Sequence, residues 1–393
     1  MHKIRLIPLL LLFSLQISAQ DFSNFDEVNN TTYSLFTLSK WDELLHYGMK
    51  AIENRQDFLN LRLRLGFACI SKKNYAKAII HYKKVLTFNK YDEIAHYYLW
   101  LCYNALNQES FALQHYPFIN KDIQKTFSLK KIALTAIGIE NSFKTTDVTT
   151  RNDGFYNMLS LNCRLGWRVN MQQSVAHYKQ NISEPKLTLV ENNNSININQ
   201  VEYYNLISIS LNKNIEVKTA YHFIKTPFNN FSYSNHLGLI GIKFYGNNIN
   251  WQGSYIQGTL VDSKINQYNL QSEYFPLGSN SLYGISTISY RSLDSSGNVN
   301  FKQVLGFKIN KTTWLEANVT LGEANRYLEN DALYVFNSID PNMLKWGCNA
   351  YYFWRKHLKL QLGYTMEKRK LTLYNPQLFY FQHSLNGGIS WKF

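Results

Sequence analysis

Beyond its first twenty residues the chain has no apolar run approaching the roughly 20 residues that a membrane-crossing helix needs, which excludes a helical inner-membrane protein. Cysteine is scarce: Cys69, Cys102, Cys163 and Cys348 form no CxxC pair and join no His/Cys cluster at metal-ligand spacing, so a bound metal is not expected. Each of the four falls at an apolar position, which predicts buried free thiols, with Cys69–Cys102 the one pair to test for a bridge. The signatures of common catalytic sites are missing as well. There is no GxSxG elbow, no HExxH helix and no glycine-rich phosphate loop, so no cofactor is expected and the chain reads as a non-enzyme. Nor is there a nucleic-acid-binding motif.

What is present begins with the compartment. Lys3 and Arg5 precede an apolar core at 6–17, and Ser18-Ala19-Gln20 supplies small residues for cleavage, so 1–20 reads as a secretory signal peptide. The core is too short to span as an anchor, and no Cys stands at the cleavage site to carry a lipid. The chain is rich in aromatics, with 28 Tyr, 24 Phe and 8 Trp. Its mean hydropathy is nonetheless slightly negative, a balance that suits a protein wet on one side and lipid-facing on the other.

Residues 21–130 carry a helical period. Apolar positions at three- and four-residue spacing predict amphipathic helices over 41–52, 58–70, 75–86 and 92–106, with 119–127 a capping helix or linker. Shifting the chain by 34 matches Lys40-Trp41 to Asn74-Tyr75, Leu44-Leu45 to Ala78-Ile79, Ala51 to Val85 and Leu65 to Leu99. That period, and Leu65-Gly66 followed by Ala78 and Tyr82, resemble the tetratricopeptide repeat. Trp100 stands where the next unit would repeat Gly66, and Lys90 where the repeat usually has Pro. About two to two and a half units are expected, too few for an independent array, so the stack should lean on the following domain. The resemblance implies a periplasmic protein partner bound through Asn60, Arg62, Arg64, His96 and Tyr97, although these residues read equally as solvated helix faces.

From 131 to 393 the period becomes two. Leu159, Leu161, Cys163, Leu165 and Trp167 alternate with Ser160, Asn162, Arg164 and Gly166, and similar alternation recurs to the end. About fourteen strands follow, in an antiparallel transmembrane β-barrel with a wet lumen. Polar positions expected to line it are Arg164, Glu216, Lys218, His222, Glu273, Glu316 and Lys359. Connections read as tight near 168, 212, 246, 278, 311 and 356, and as long at 145–155, 181–198, 324–342 and 369–380. Short periplasmic turns alternating with long external loops would put both ends of the barrel, and the helical region, in the periplasm. Trp167, Trp251, Trp314, Trp346, Trp354 and Trp391 fall near strand ends, where interfacial girdles form.

The last strand, 384–393, sets Leu385, Gly387, Ile389, Trp391 and Phe393 on one face. It is similar to the closing strand that barrel-insertion machinery recognises, with Ile389, Trp391 and Phe393 as its signal. Together with Val335-Phe336-Asn-Ser-Ile-Asp340, the stretch Gly387-Gly-Ile-Ser-Trp-Lys-Phe393 resembles the YaiO-type outer-membrane β-barrel proteins of Bacteroidetes-like bacteria. That resemblance implies a signal peptide, a tetratricopeptide stretch and an outer-membrane barrel, and carries over no catalytic residue. Exporters of cellulose and poly-N-acetylglucosamine share the plan with more repeats and a larger barrel.

The expected function is a non-enzymatic outer-membrane barrel docking a partner within an exopolysaccharide export or envelope system. The alternatives are a lumenal enzyme acting on lipid or glycan, or a structural or adhesive surface protein. Partners implied are outer-membrane lipid and lipopolysaccharide, the insertion machinery, a periplasmic protein and a glycan, with no nucleic acid. Basic residues outnumber acidic ones 41 to 27, a formal charge of +14, and 24 of the 41 face 16 acidic residues in 132–393. Basic groups at the rim would suit lipopolysaccharide phosphates or an anionic glycan.

Overall fold

The computed structural model describes residues 24–393, apart from 184–194, 213, 229–230, 247, 262, 294–295, 338–339, 356 and 372–377. The expected signal peptide at 1–20 lies outside the described residues. Among the described residues, seven α-helices precede a closed antiparallel barrel of fourteen strands.

The helices are α1 (Phe25–Thr37), α2 (Trp41–Glu53), α3 (Leu59–Ser71), α4 (Tyr75–Phe88), α5 (Glu93–Ala105), α6 (Glu109–His115) and α7 (Lys121–Phe127). Both the first helices of the three pairs (α1, α3, α5) and the second (α2, α4, α6) start 34 residues apart. The sequence period therefore continues into α1 and α6, which the apolar pattern alone does not reveal. Each first helix also ends in the same way. Ser39, Lys73 and Asn107 take left-handed backbone, at φ 55°, 59° and 56°. The next amide, of Lys40, Asn74 or Gln108, donates 2.9 Å back to the carbonyl of Leu35, Cys69 or Tyr103. This satisfies a carbonyl that the helix end leaves orphaned, and it fixes the angle between the paired helices. Lys73→Gly removes a left-handed penalty of about 1 kcal/mol, so the variant is expected to be more stable by that order, read from chemical denaturation of the helical region.

Packing follows the same repeat. Gly66 lies against the ring of fully buried Tyr82, where an added Cβ would come within 2.6 Å of Cζ. Tyr82 stacks on Tyr98 at 5.1 Å. Cys69 and Cys102 belong to the same buried cluster, and both are free thiols. Burial pushes the Cys69 thiol up to about 11. Cys163 is half-buried and Cys348 exposed, so the expectation of burial fails for Cys348, whose strand turns it to the outer face.

The barrel runs β1 (Ile132–Thr146), β2 (Arg151–Leu165), β3 (Val169–Ser183), β4 (Ser195–Ser210), β5 (Ile215–Phe228), β6 (Phe231–Tyr245), β7 (Ile249–Leu260), β8 (Ser263–Tyr274), β9 (Leu282–Leu293), β10 (Ser296–Lys308) and β11 (Thr313–Ala324). After a short hairpin of β12 (Tyr327–Glu329) and β13 (Tyr334–Phe336), it resumes with β14 (Asn342–Trp354), β15 (Leu358–Lys370) and β16 (Phe379–Lys392). Strand β11 pairs directly with β14, so the hairpin stands outside the wall. Each wall strand has at least 12 residues, more than the roughly 9–11 that cross a bilayer when tilted.

Closure is made by β16 on β1, with Ile139 opposite Ile389 and Ile137 opposite Trp391, and Phe393 N donates to Thr135 O at 3.0 Å. Ile389, Trp391 and Phe393 face outward, and Trp391 stacks on His357 at 5.5 Å.

The expected alternation of loop lengths holds only in part. At the end of the barrel that carries the helices, three residues separate β2 from β3, four β4 from β5, three β6 from β7, seven β8 from β9, four β10 from β11 and three β14 from β15. At the far end, eleven residues separate β3 from β4, seventeen separate β11 from β14 and eight separate β15 from β16. In contrast, only two residues separate β5 from β6, β7 from β8 and β9 from β10, and four separate β1 from β2, which extend into the expected loop.

Candidate functional site

The helices sit on one end of the barrel and tie into its turns. Asn74, the N-cap of α4, accepts from Lys77 N, and the amide of Ala76 donates 3.1 Å to Gly278 O in the β8–β9 turn, so the barrel completes the helix cap. Gly278 has φ +64°, and its Cβ would meet Asn74 Oδ1, so this approach requires glycine. Arg164 donates to Glu109 at 2.6 Å, Lys83 to Asn214 at 2.9 Å, and Asn280 to Ala105 O at 2.9 Å. Phe111 packs on Tyr245 at 4.2 Å and Tyr116 on Trp167 at 5.2 Å. The short helical stack therefore leans on four consecutive barrel turns.

From the far end, the β12–β13 hairpin folds back into the lumen. Its apolar side rests on inward-facing Ile224, Leu237, Leu239, Ile256 and Ile265, which form one cluster with Leu328 and Ala332. Its polar side is held by the wall. Gln267 both donates to Leu328 O at 2.8 Å and accepts from Leu328 N at 3.0 Å. Glu329 accepts from Lys302 at 2.7 Å and Lys345 at 3.1 Å. At the tip, Asp331 accepts from Lys218 at 2.7 Å and Gln252 at 2.6 Å, its carbonyl accepts from Tyr204, and His222 Nδ1 donates to Ala332 O at 2.7 Å. Asn330, Asp331 and Ala332 all take left-handed backbone, at φ 52°, 56° and 67°. Three such non-glycine residues in succession are strained and persist where their surroundings hold them.

The return limb is pinned in turn: Asp340 accepts from Arg151 at 2.7 Å and from Tyr380 at 2.9 Å, all three buried. Among the described residues, two cavities flank the hairpin. One of about 670 Å³ lies against the β1–β3 and β14–β16 wall, and one of about 370 Å³ against β7–β9.

The lumen residues expected from alternation lie on the inner face and are engaged there. Arg164 is the exception in position, since it sits at the mouth bonded to the helices. Glu216 accepts from Tyr245 at 3.4 Å, and Glu273 from Lys243 at 2.6 Å and Asn250 at 3.1 Å. Glu316 accepts from Tyr283 at 2.8 Å, Lys359 lies over the Tyr351 ring at 5.5 Å, and Lys218 and His222 grip the hairpin tip. His222 Nε2 lies 3.3 Å from Glu202 Oε2.

The repeat residues divide differently. Arg62 holds Asp57 with two bonds and reaches His81, Arg64 ties α3 to Asn29 and Thr32 of α1, and His96 is buried against His115. These three are structural ties within the helical region. Asn60 is exposed, and Tyr97 is half-buried against Tyr98 and Trp100. The hydrogen bond from Arg62 holds the Asp57 carboxyl below its ordinary value.

Burial, with Arg62 opposite Nδ1, lowers His81 to about 4. The unfolded chain binds this proton near 6.5, so helical-region stability is full above that pH and is lost as pH falls toward about 4. The loss is on the order of 3 kcal/mol, and denaturation of the region across that window should show it, with His81→Gln abolishing it.

No protein-family model matches the chain, and no curated protein matches it. Among solved structures it is similar to one titled a bacterial polysaccharide outer membrane secretin, at 8% identity and TM-score 0.41 over 66% of this chain and 98% of that one. It is similar also to a Pseudomonas aeruginosa FadL homologue, at 9% and 0.44 over 73% and 94%. A third, the CymD monoaromatic hydrocarbon channel, matches at 11% and 0.42 over 68% and 90%.

Proposed function

We propose that this chain is a bacterial outer-membrane barrel forming a restricted passage, with the helical region on the periplasmic side docking a partner of an exopolysaccharide or envelope export system. One observation carries the reading: the wall is inverted relative to a water-soluble protein. Ile139, Val175, Ile240, Leu270, Leu305 and Leu362 on its outer face are each about half exposed or more, while Gln267, Ser289, Arg291 and Asn300 are buried on the inner face. Such a surface is unfavourable in water and suits hydrocarbon, and a closed barrel leaves no unpaired edge inside the bilayer. Trp251, Trp354 and Trp391 stand outward at the helix-bearing end, with Trp346, Tyr268 and Tyr290 toward the other, as interfacial girdles do.

Support for a passage comes from the polar cavities on either side of the hairpin; support for docking comes from the helices' place over one mouth. The expected result is sedimentation with the outer membrane and a faster gel mobility before boiling than after. Release by alkaline carbonate as a soluble protein would overturn the reading.

A further inference from the structure

We infer that Lys218, Lys302 and Lys345 form a binding path for acidic, carboxylate-bearing saccharides, and that the hairpin's own carboxylates occupy this path as stand-ins. The inference rests on the passage reading above and names its cargo chemistry. Glu329 takes two lysine donors, and Asp331 takes a lysine and an amide, all within 2.6–3.1 Å. Paired charge-assisted donors on a single carboxylate are what a uronate group would require. The lysines come from β5, β10 and β14, so the matched positions are spread around the inner wall and are not confined to one strand.

Two features mark the hairpin as an occupant of the lumen and separate it from the wall. The fourteen strands close without it, because β11 pairs with β14 across it. Its tip holds three left-handed non-glycine residues in a row, gripped at Asp331 by Lys218, a wall group that a ligand would claim. Once the hairpin is displaced, three lysines face the lumen beside Lys144 and Lys359, which lie over the rings of Tyr178 and Tyr351 at 4.9 and 5.5 Å. The two flanking cavities, about 670 and 370 Å³, would then merge into space for sugar rings against these tyrosines.

The test uses the full chain in planar bilayers. One variant replaces 327–336 with a short Gly-Ser linker, and a second adds K218Q/K302Q/K345Q. The first is expected to conduct, to prefer chloride over potassium, and to be blocked by hexagalacturonate at concentrations at least tenfold below those of maltohexaose. The second is expected to conduct but to lose both preferences. E329Q/D331N, which leaves the backbone intact, should shift selectivity toward anions.

Conduction without anion preference in the first variant, or preference retained in the second, would overturn the inference and leave the passage reading standing. Absence of conduction from a folded, heat-modifiable barrel without its hairpin would overturn both.

Discussion

Tyr82→Ala is expected to cost the helical region about 3–5 kcal/mol, enough to unfold a stack of three short helix pairs while the barrel keeps its heat-modifiable mobility. Tyr82 is fully buried, stacks on Tyr98, and fills the hollow that Gly66 leaves open. Truncation removes an aromatic ring from the crossing of α3 and α4, and neither backbone can collapse into the gap, because the left-handed turn at Lys73 fixes their angle. Thermal circular dichroism at the helical minimum, run beside Tyr82→Phe, measures the effect. The phenylalanine variant should lose far less, since Tyr82 Oη has no hydrogen-bond partner.

Asp340→Ala is expected to be comparably severe at the opposite end. The Arg151–Asp340 pair is all but inaccessible, with side-chain exposures of 2% and 1%. Removing the carboxylate takes two charge-assisted hydrogen bonds from a buried guanidinium, a loss of about 3–5 kcal/mol for a buried pair. It also frees the return limb of the hairpin, which Asp340 pins to β2 and β16. Urea titration of the detergent-folded barrel should show the drop. Tyr380→Phe, which removes one donor to that carboxylate, should cost less, about 2 kcal/mol.

The sequence carries the wall and the repeat because both rest on local periods. Alternation at 159–167 and 358–366 marks strands whose inner side is wet, and the 34-residue offset marks helices whose crossings need Gly66 and Tyr82. Helix α1 escapes notice because only Val28 and Thr32 of its thirteen residues are buried, and α6 because it has seven residues.

The hairpin is illegible for a different reason. Its strands have three residues each, and its apolar seat at Leu237, Leu239 and Ile256 places hydrophobic side chains on the lumen side, where alternation predicts polar ones. Arg62 and Arg64 look like surface cations until Asp57 and α1 are brought beside them by the fold. Within the stretch that carries the family resemblance, Val335 and Phe336 lie on the inner strand of that hairpin and Asp340 is its pin.

The most direct measurement of the central claim is single-channel conductance of the full chain with and without residues 327–336. A polar lumen obstructed by its own hairpin predicts a small or closed wild-type state and a several-fold larger open level once the hairpin is replaced by a short linker. Equal conductance in the two proteins, both folded, would contradict it.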